Sequence, residues 1–213
     1  MILDIKQNQI NANQIVAYAE VNYTAEKKLF DFLGDKEFDL APLEKFKNSK
    51  RRIEWMSVRY LLNEIVPAYN DLYYDEFGKP YFKELDYHLS ISHSFHRIAV
   101  SIDRKENTAI DLQHITSKIK RIRNRYLNEE EYTLVSQDDI LQLTLAWSIK
   151  EALFKVYGKD DIFLKPNIRL LSLEFKKNKG RASGQIHAAE YLRTFELKLD
   201  LIDDYVLAYV VNS

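Results

Sequence analysis

The chain contains no cysteine, which excludes a disulfide framework and any thiolate metal site and fits a reducing compartment. Glycine (5) and proline (4) are scarce among 213 residues, so there is little linker material, and no low-complexity stretch or short-period repeat is visible. No apolar run approaches the roughly 18 residues that a membrane span needs. The first residues, MILDIKQNQINANQ, lack a basic stretch followed by an apolar run and a cleavage site, so no secretory signal is read. A soluble, cytoplasmic protein is the expectation. An excess of either charge is also missing. Lys plus Arg is 31 and Asp plus Glu is 32, a net charge of −1, which argues against a dedicated nucleic-acid binder. What is present is ordinary globular material: 46% hydrophobic and 30% charged residues. That length supports one large domain or two small ones of about 100 residues each.

The element order favours two. Residues 15–21 read as a strand and 24–33 as a helix, with Thr24 placed to cap it and Leu29, Phe32 and Leu33 on one face. Residues 47–66 read as a long helix stopped by Pro67. A turn follows at Gly78-Lys79-Pro80, then two short strands across 88–103. The second half opens with a strand at 108–113 and a basic helix at 116–127. Asn128 and Glu131 have capping-box spacing. Residues 138–157 give the strongest helical pattern, opened by Asp138 or Asp139 and closed by Gly158. Strands are expected at 168–175, 184–188, 195–202 and 205–211. Each half thus combines helices with a small antiparallel sheet. The expected fold is α+β, two similar lobes related by a pseudo-twofold, residues 1–105 and 106–213.

Five groups of residues carry possible chemistry. On the long helix Trp147, Glu151 and Lys155 recur every four residues and share a stripe, where a carboxylate and an ammonium could hold a metal and a phosphate side by side. The plainer reading is a surface ion pair. In Ala109-Ile110-Asp111-Leu112-Gln113 a strand would put Asp111 and Gln113 on one face, a suitable start for a hard-cation site, or simply pair Asp111 with a cation. Ser90-Ile91-Ser92-His93-Ser94 could hold a phosphate at a strand end or be a structural turn. Lys50, Arg51, Arg52 and Arg59 form a basic set in which Arg52 and Arg59, seven apart, share a helix face suited to a phosphate, if it is not merely solvated. Lys118, Lys120, Arg121, Arg123 and Arg125 line a helix that could meet an acidic partner or, less readily given the net charge, a nucleic acid.

Singly these signals are weak, but their order and spacing are specific. The sequence resembles the 4′-phosphopantetheinyl transferase superfamily, in its two-lobed surfactin-type form, over roughly residues 45–160. The family pattern is a basic arginine helix, Gly-Lys-Pro, Ser-His, Gly-x-Asp-x-Glu and Trp-Ser-x-Lys-Glu-Ala-x-x-Lys. It is met here by Lys50 to Arg59, Gly78-Lys79-Pro80, Ser92-His93, Ala109 to Gln113 and Trp147 to Lys155. The last motif is complete. Two positions depart: Ala109 replaces a glycine, and Gln113 replaces the second carboxylate, keeping a carbonyl oxygen but no charge.

The resemblance implies transfer of the phosphopantetheine arm of coenzyme A to a serine of a carrier protein, with Mg²⁺ and release of adenosine 3′,5′-bisphosphate. By the same resemblance coenzyme A lies in the cleft between the lobes. Arg52, Arg59, Lys79 and His93, with Ser92, are its anion contacts, Gly78 and Pro80 shape the adenine end, and Lys150 contacts a phosphate or supports the lobe contact. Asp111, Gln113 and Glu151 are the implied metal ligands, Glu151 the implied base and Lys155 the implied stabiliser of phosphate charge. Trp147 is expected in the core. A monomer is expected, since two lobes in one chain replace a subunit interface. Two rival readings are a non-catalytic coenzyme A binder, motivated by Gln113, and a nucleic-acid module on the 118–125 helix.

Overall fold

Period-two apolar patterns and capped helices sort the chain into two compact units, Met1–Lys105 and Glu106–Ser213. The computed structural model describes residues 2–67 and 72–212. The fold is α+β, with two antiparallel sheets, of six and five strands, each packed with helices.

The first unit runs β1 (Ile5–Gln9), β2 (Gln14–Glu20), α1 (Glu26–Asp35), α2 (Ser49–Ile65), β3 (Tyr73–Tyr74), β4 (Pro80–Tyr81), β5 (His88–Ser94) and β6 (Arg97–Asp103). Its sheet order is β1-β2-β6-β5-β4-β3. Ile98, Val100 and Ile102 point from β6 to the side where Leu29 and Leu33 of α1 and Ile53, Met56 and Tyr60 of α2 complete the core. α2 begins at Asn48, whose side chain accepts from Lys50 N at 2.9 Å. Thr24, expected to cap α1, does not: its hydroxyl and amide both donate to Asn22 Oδ1, and Ala25 occupies the cap position. β1 was not expected, because IKQNQ is an exposed edge strand with polar residues on both faces and shows no alternation.

The second unit runs β7 (Ile110–His114), α3 (Ile119–Tyr126), α4 (Ile140–Tyr157), α5 (Leu164–Asn167), β8 (Ile168–Lys176), β9 (Lys179–Ala188), β10 (Tyr191–Ile202) and β11 (Tyr205–Val211), with sheet order β7-β11-β10-β9-β8. α4 lies across this sheet. Asp139 caps it by accepting from Gln142 N, and Gly158 ends it in the left-handed region at φ 75°. Leu143, Ala146, Ile149, Leu153 and Val156 recur at helical spacing and bury the core face. β9 is longer than its sequence pattern because its first part carries only small residues, Gly180, Ala182 and Gly184, at alternate positions. Gly184 lies directly beneath Leu153, whose Cδ1 a Cβ at that position would overlap.

α4 carries a buried charge. Lys150 is fully buried, and its ammonium donates to Glu131 Oε2 (2.8 Å), Ile168 O (2.7 Å) and Leu164 O (3.3 Å), which uses its three donors. Burial holds its pKa below the usual lysine value, against the opposing pull of Glu131. Glu131 is itself fully engaged. Its Oε2 accepts from Asn128 N at 2.7 Å, the reciprocal half of the expected capping box, and its Oε1 accepts from Leu170 N of β8 at 2.7 Å. One carboxylate therefore ties α4, the 3-10 turn Glu130–Thr133 and the sheet edge together. Lys150, expected among the coenzyme A contacts, is corrected on this ground: an ammonium with 0% exposure and three internal acceptors does not reach a ligand.

Removing the ammonium leaves Glu131 buried without its counter-charge. Lys150→Met is expected to lower unfolding stability by about 3–5 kcal/mol. The double change Glu131→Gln/Lys150→Met should recover part of that loss, as read from urea denaturation midpoints.

Candidate active site

The half-buried stripe of α4 is Trp147, Glu151 and Lys155, one turn apart each. β7 faces it. In the register of β7 with β11, Asp111 is opposite Ala208 and Gln113 opposite Val206, and both of those β11 residues belong to the core under α4. Asp111 and Gln113 thus point to the helix, while Ile110 and Leu112 point away. Lys155 Nζ donates to Asp111 Oδ1 at 2.9 Å and to Ile110 O at 3.0 Å. Asp111 is 5% exposed, so this pair is largely withdrawn from water. Glu151 stands one turn before Lys155. Its burial, and then the charge of Asp111, push its pKa up to about 7, with Lys155 pulling the other way. A carboxylate near neutrality can take a proton in water at working pH.

Gln113 lies two residues along the same face. Its Nε2 donates to His114 O at 3.2 Å, so its carbonyl oxygen is the end that could meet a cation. It also borders a cavity of about 280 Å³ with Ile119, Ile122, Thr144 and Trp147. Trp147 packs its edge on Tyr126 (ring centroids 5.2 Å) and lines this cavity as well. Among the described residues no group of three His, Cys, Asp or Glu side chains is assembled. Two carboxylates and an amide carbonyl form an all-oxygen, low-charge donor set. That set fits a Mg²⁺ ion that keeps waters and takes its remaining oxygens from a phosphate ligand, rather than a metal caged by protein.

In the first unit a cavity of about 180 Å³ is lined by Arg51, Glu54, Trp55, Val58 and Arg59 of α2, by Tyr74, Gly78 and Pro80 of the β3–β4 hairpin, and by Ile91 and His93 of β5. Arg59 is 5% exposed, and its guanidinium lies over the Trp55 indole, 3.2 Å from the ring centroid. Arg51 Nη1 donates to His93 Nε2 at 2.8 Å and to Glu54 Oε2 at 3.3 Å. The hairpin turn is drawn tight by Asp75, whose carboxylate accepts from Phe77 N and Lys79 N. Gly78 sits in the turn at φ 79°, a conformation that favours glycine. Two guanidiniums, an imidazole and an aromatic wall suit an anionic, ring-bearing ligand.

The structure therefore gathers Arg59, Gly78, Pro80 and His93 at one cavity, and Asp111, Glu151 and Lys155 at one helix–strand contact. Four residues named from sequence stand elsewhere. Lys150 is internal, as described. Arg52 ion-pairs with Glu26 of α1 rather than lining the cavity. Ser92 points to the sheet face opposite His93 and α2, because neighbours on a strand alternate faces; it is 5% exposed there. Lys79 is half-buried in the hairpin turn and outside the cavity lining; burial lowers its ammonium pKa against the pull of Asp75. Trp55 and Tyr74 were not selected from sequence, and Arg51 was named in the basic set but not among the implied coenzyme A contacts. A usable signal existed: Arg51, Trp55 and Arg59 repeat every four residues, the same spacing as Trp147, Glu151 and Lys155.

Residues 107–210 match the family model of the 4′-phosphopantetheinyl transferase superfamily. The match begins just ahead of β7 and ends within β11, so it contains Asp111, Gln113, Glu131, Lys150, Glu151 and Lys155. The anion cavity of the first unit lies outside the residues matched to the phosphopantetheinyl transferases. A comparison with curated proteins finds no match. No helix among the described residues is long and apolar enough to cross a membrane.

The raised Glu151 pKa fixes a pH dependence. The folded state binds this proton more tightly than the unfolded chain, whose carboxyl titrates near 4.5. The contribution is fully present below about pH 4.5 and is lost as pH rises through about 7. With chelator present, Glu151→Gln should therefore melt above the parent protein at pH 8, with the difference closing towards pH 4.5. Thermal denaturation across that range checks it.

Proposed function

We propose that this protein transfers the 4′-phosphopantetheine arm of coenzyme A to a serine of an acyl or peptidyl carrier protein, releasing adenosine 3′,5′-bisphosphate. The observation that carries the reading is the Glu151–Lys155 turn of α4 laid against Asp111 of β7, inside the segment that matches the superfamily. Asp111 and Glu151, with the Gln113 carbonyl, would hold Mg²⁺, which when bound neutralises pyrophosphate charge. Glu151 accepts the proton of the carrier serine, directly or through a water. The serine Oγ forms a bond to the phosphorus bearing the pantetheine arm. The bridging P–O bond breaks, and its electron pair leaves with the adenosine 3′,5′-bisphosphate. Lys155 steadies charge on the phosphate oxygens as that happens.

The cavity of the first unit supplies a second part of the reading. Arg51, Arg59 and His93 suit the 3′-phosphate, and the Trp55 and Tyr74 walls suit the adenine. The partner protein follows from α3. Lys118, Arg121 and Arg125 are exposed there, whereas Lys120 faces Asp138 (3.7 Å) and Arg123 Nη1 donates to Lys120 O (2.6 Å). An acidic carrier surface complements that face. The Gln113 amide favours one alternative, a homologue that binds coenzyme A without transferring the arm.

Intact-mass measurement of apo carrier proteins, incubated with this protein, coenzyme A and Mg²⁺, tests the proposal. Gain of one arm on at least one carrier is expected, with Glu151→Ala reducing the rate by about 10²–10⁴-fold. Coenzyme A binding without turnover on any carrier would select the alternative, and Gln113→Glu would then be expected to gain activity. The double reversal Arg121→Glu/Arg125→Glu should raise the KM for carrier and flatten its salt dependence with kcat little changed. An unchanged KM would remove α3 from the docking surface.

A further inference from the structure

The clamp on Asp111 has a consequence of its own. Lys155 Nζ is held by two oxygens of β7, Asp111 Oδ1 and Ile110 O, at 2.9 and 3.0 Å. Its side chain is 27% exposed against 8% for Asp111, so the ammonium sits on the solvent side of a withdrawn carboxylate. A divalent cation bound through Asp111 would share a carboxylate whose Oδ1 this ammonium already holds. Two positive charges that close repel each other, and the single carboxylate offsets only part of the repulsion. The geometry points to Lys155 as an internal counter-cation that closes the metal site until an anionic ligand draws it away. This inference rests on the proposed function, because coenzyme A is the anion that would supply the pull.

The lysine suits that role. Lys155 stands in the last turn of α4, two residues before its end, on a flexible four-carbon stem. A swing of the ammonium from Asp111 to a pyrophosphate oxygen exchanges one charged acceptor for another. Metal without coenzyme must displace the ammonium and leave it beside the ion. Metal together with coenzyme finds the ammonium already engaged. Linkage then requires reciprocity: coenzyme A tightens the metal, and the metal tightens coenzyme A by the same factor. Lys155 is in this respect a positioning residue, acting on metal binding through Asp111.

Mn²⁺ binding to the whole protein, read from the free-ion electron paramagnetic resonance signal, tests the gate without using turnover. Lys155→Met should bind Mn²⁺ alone about tenfold more tightly than the parent protein, the order expected when a unit charge within ~5 Å of a divalent ion is removed. Its affinity should also rise less on adding coenzyme A. Lys155→Gln, which keeps a neutral donor near Asp111, should behave the same way and serves if the methionine variant fails to fold. Asp111→Asn should abolish the difference. Equal or weaker Mn²⁺ binding by both folded Lys155 variants, while the parent protein still binds coenzyme A and transfers its arm, overturns the gate and leaves the proposed function standing. If the parent protein binds neither Mn²⁺ nor coenzyme A, the proposed function fails and the gate with it.

Discussion

The second unit is organised around one buried ion pair. Lys150 enters the core from α4 and meets Glu131, which is held in turn by Asn128 N and Leu170 N. A charged pair withdrawn this far from water has low tolerance for displacement, since any movement leaves a buried charge with fewer partners. That requirement fixes the rotation of α4 about its own axis. Glu151, the next residue, is then turned by about 100° away from Lys150. Lys155, one turn beyond Glu151, reaches Asp111 of β7. The side chain that sequence placed in the ligand site thus belongs to the frame, and the frame aims its neighbour.

Packing and chemistry are coupled at the helix–sheet contact. α4 can lie close to the sheet because β9 offers Gly184 beneath Leu153. β7 and β11 sit under the other side of the helix, where Asp111 is nearly closed off from solvent. Burial of Glu151, and then the field of the Asp111 carboxylate beside it, raise the Glu151 pKa to about 7. Two acidic groups in a partly dry site are a cost to the fold that one ammonium offsets in part. The same imbalance underlies the proposed cation site and the proposed competition of Lys155 for it.

The two units repeat a device. In each, a long helix presents residues at i, i+4 and i+8 beside a sheet: Arg51, Trp55 and Arg59 on α2, and Trp147, Glu151 and Lys155 on α4. The first stripe is cationic and aromatic and lines a cavity with His93 and the β3–β4 hairpin. The second joins carboxylate to ammonium at β7. Different chemistry thus stands on one scaffold geometry.

Sequence alone determined the elements with strong periodicity. α2, α4, β5, β6, β7 and β11 follow from apolar spacing, the start of α4 from an aspartate cap at Asp138 or Asp139, and its end from the left-handed stop at Gly158. It also placed Asp111 and Gln113 on one face and Glu151 and Lys155 on one stripe, since those relations are local. What it could not determine were relations across the fold. β1 and the start of β9 carry too little apolar alternation to be read. Arg52 found Glu26 and Arg51 found His93 only once α1 and β5 had packed beside α2. Ser92 and His93 are adjacent in sequence yet face opposite sides, and the sheet register decides which side holds the cavity. Lys150 reads as a ligand contact until Glu131, nineteen residues away, is brought to it. Periodicity and capping are properties of neighbouring residues. Burial and charge pairing depend on which surfaces meet, so only the tertiary structure decided them.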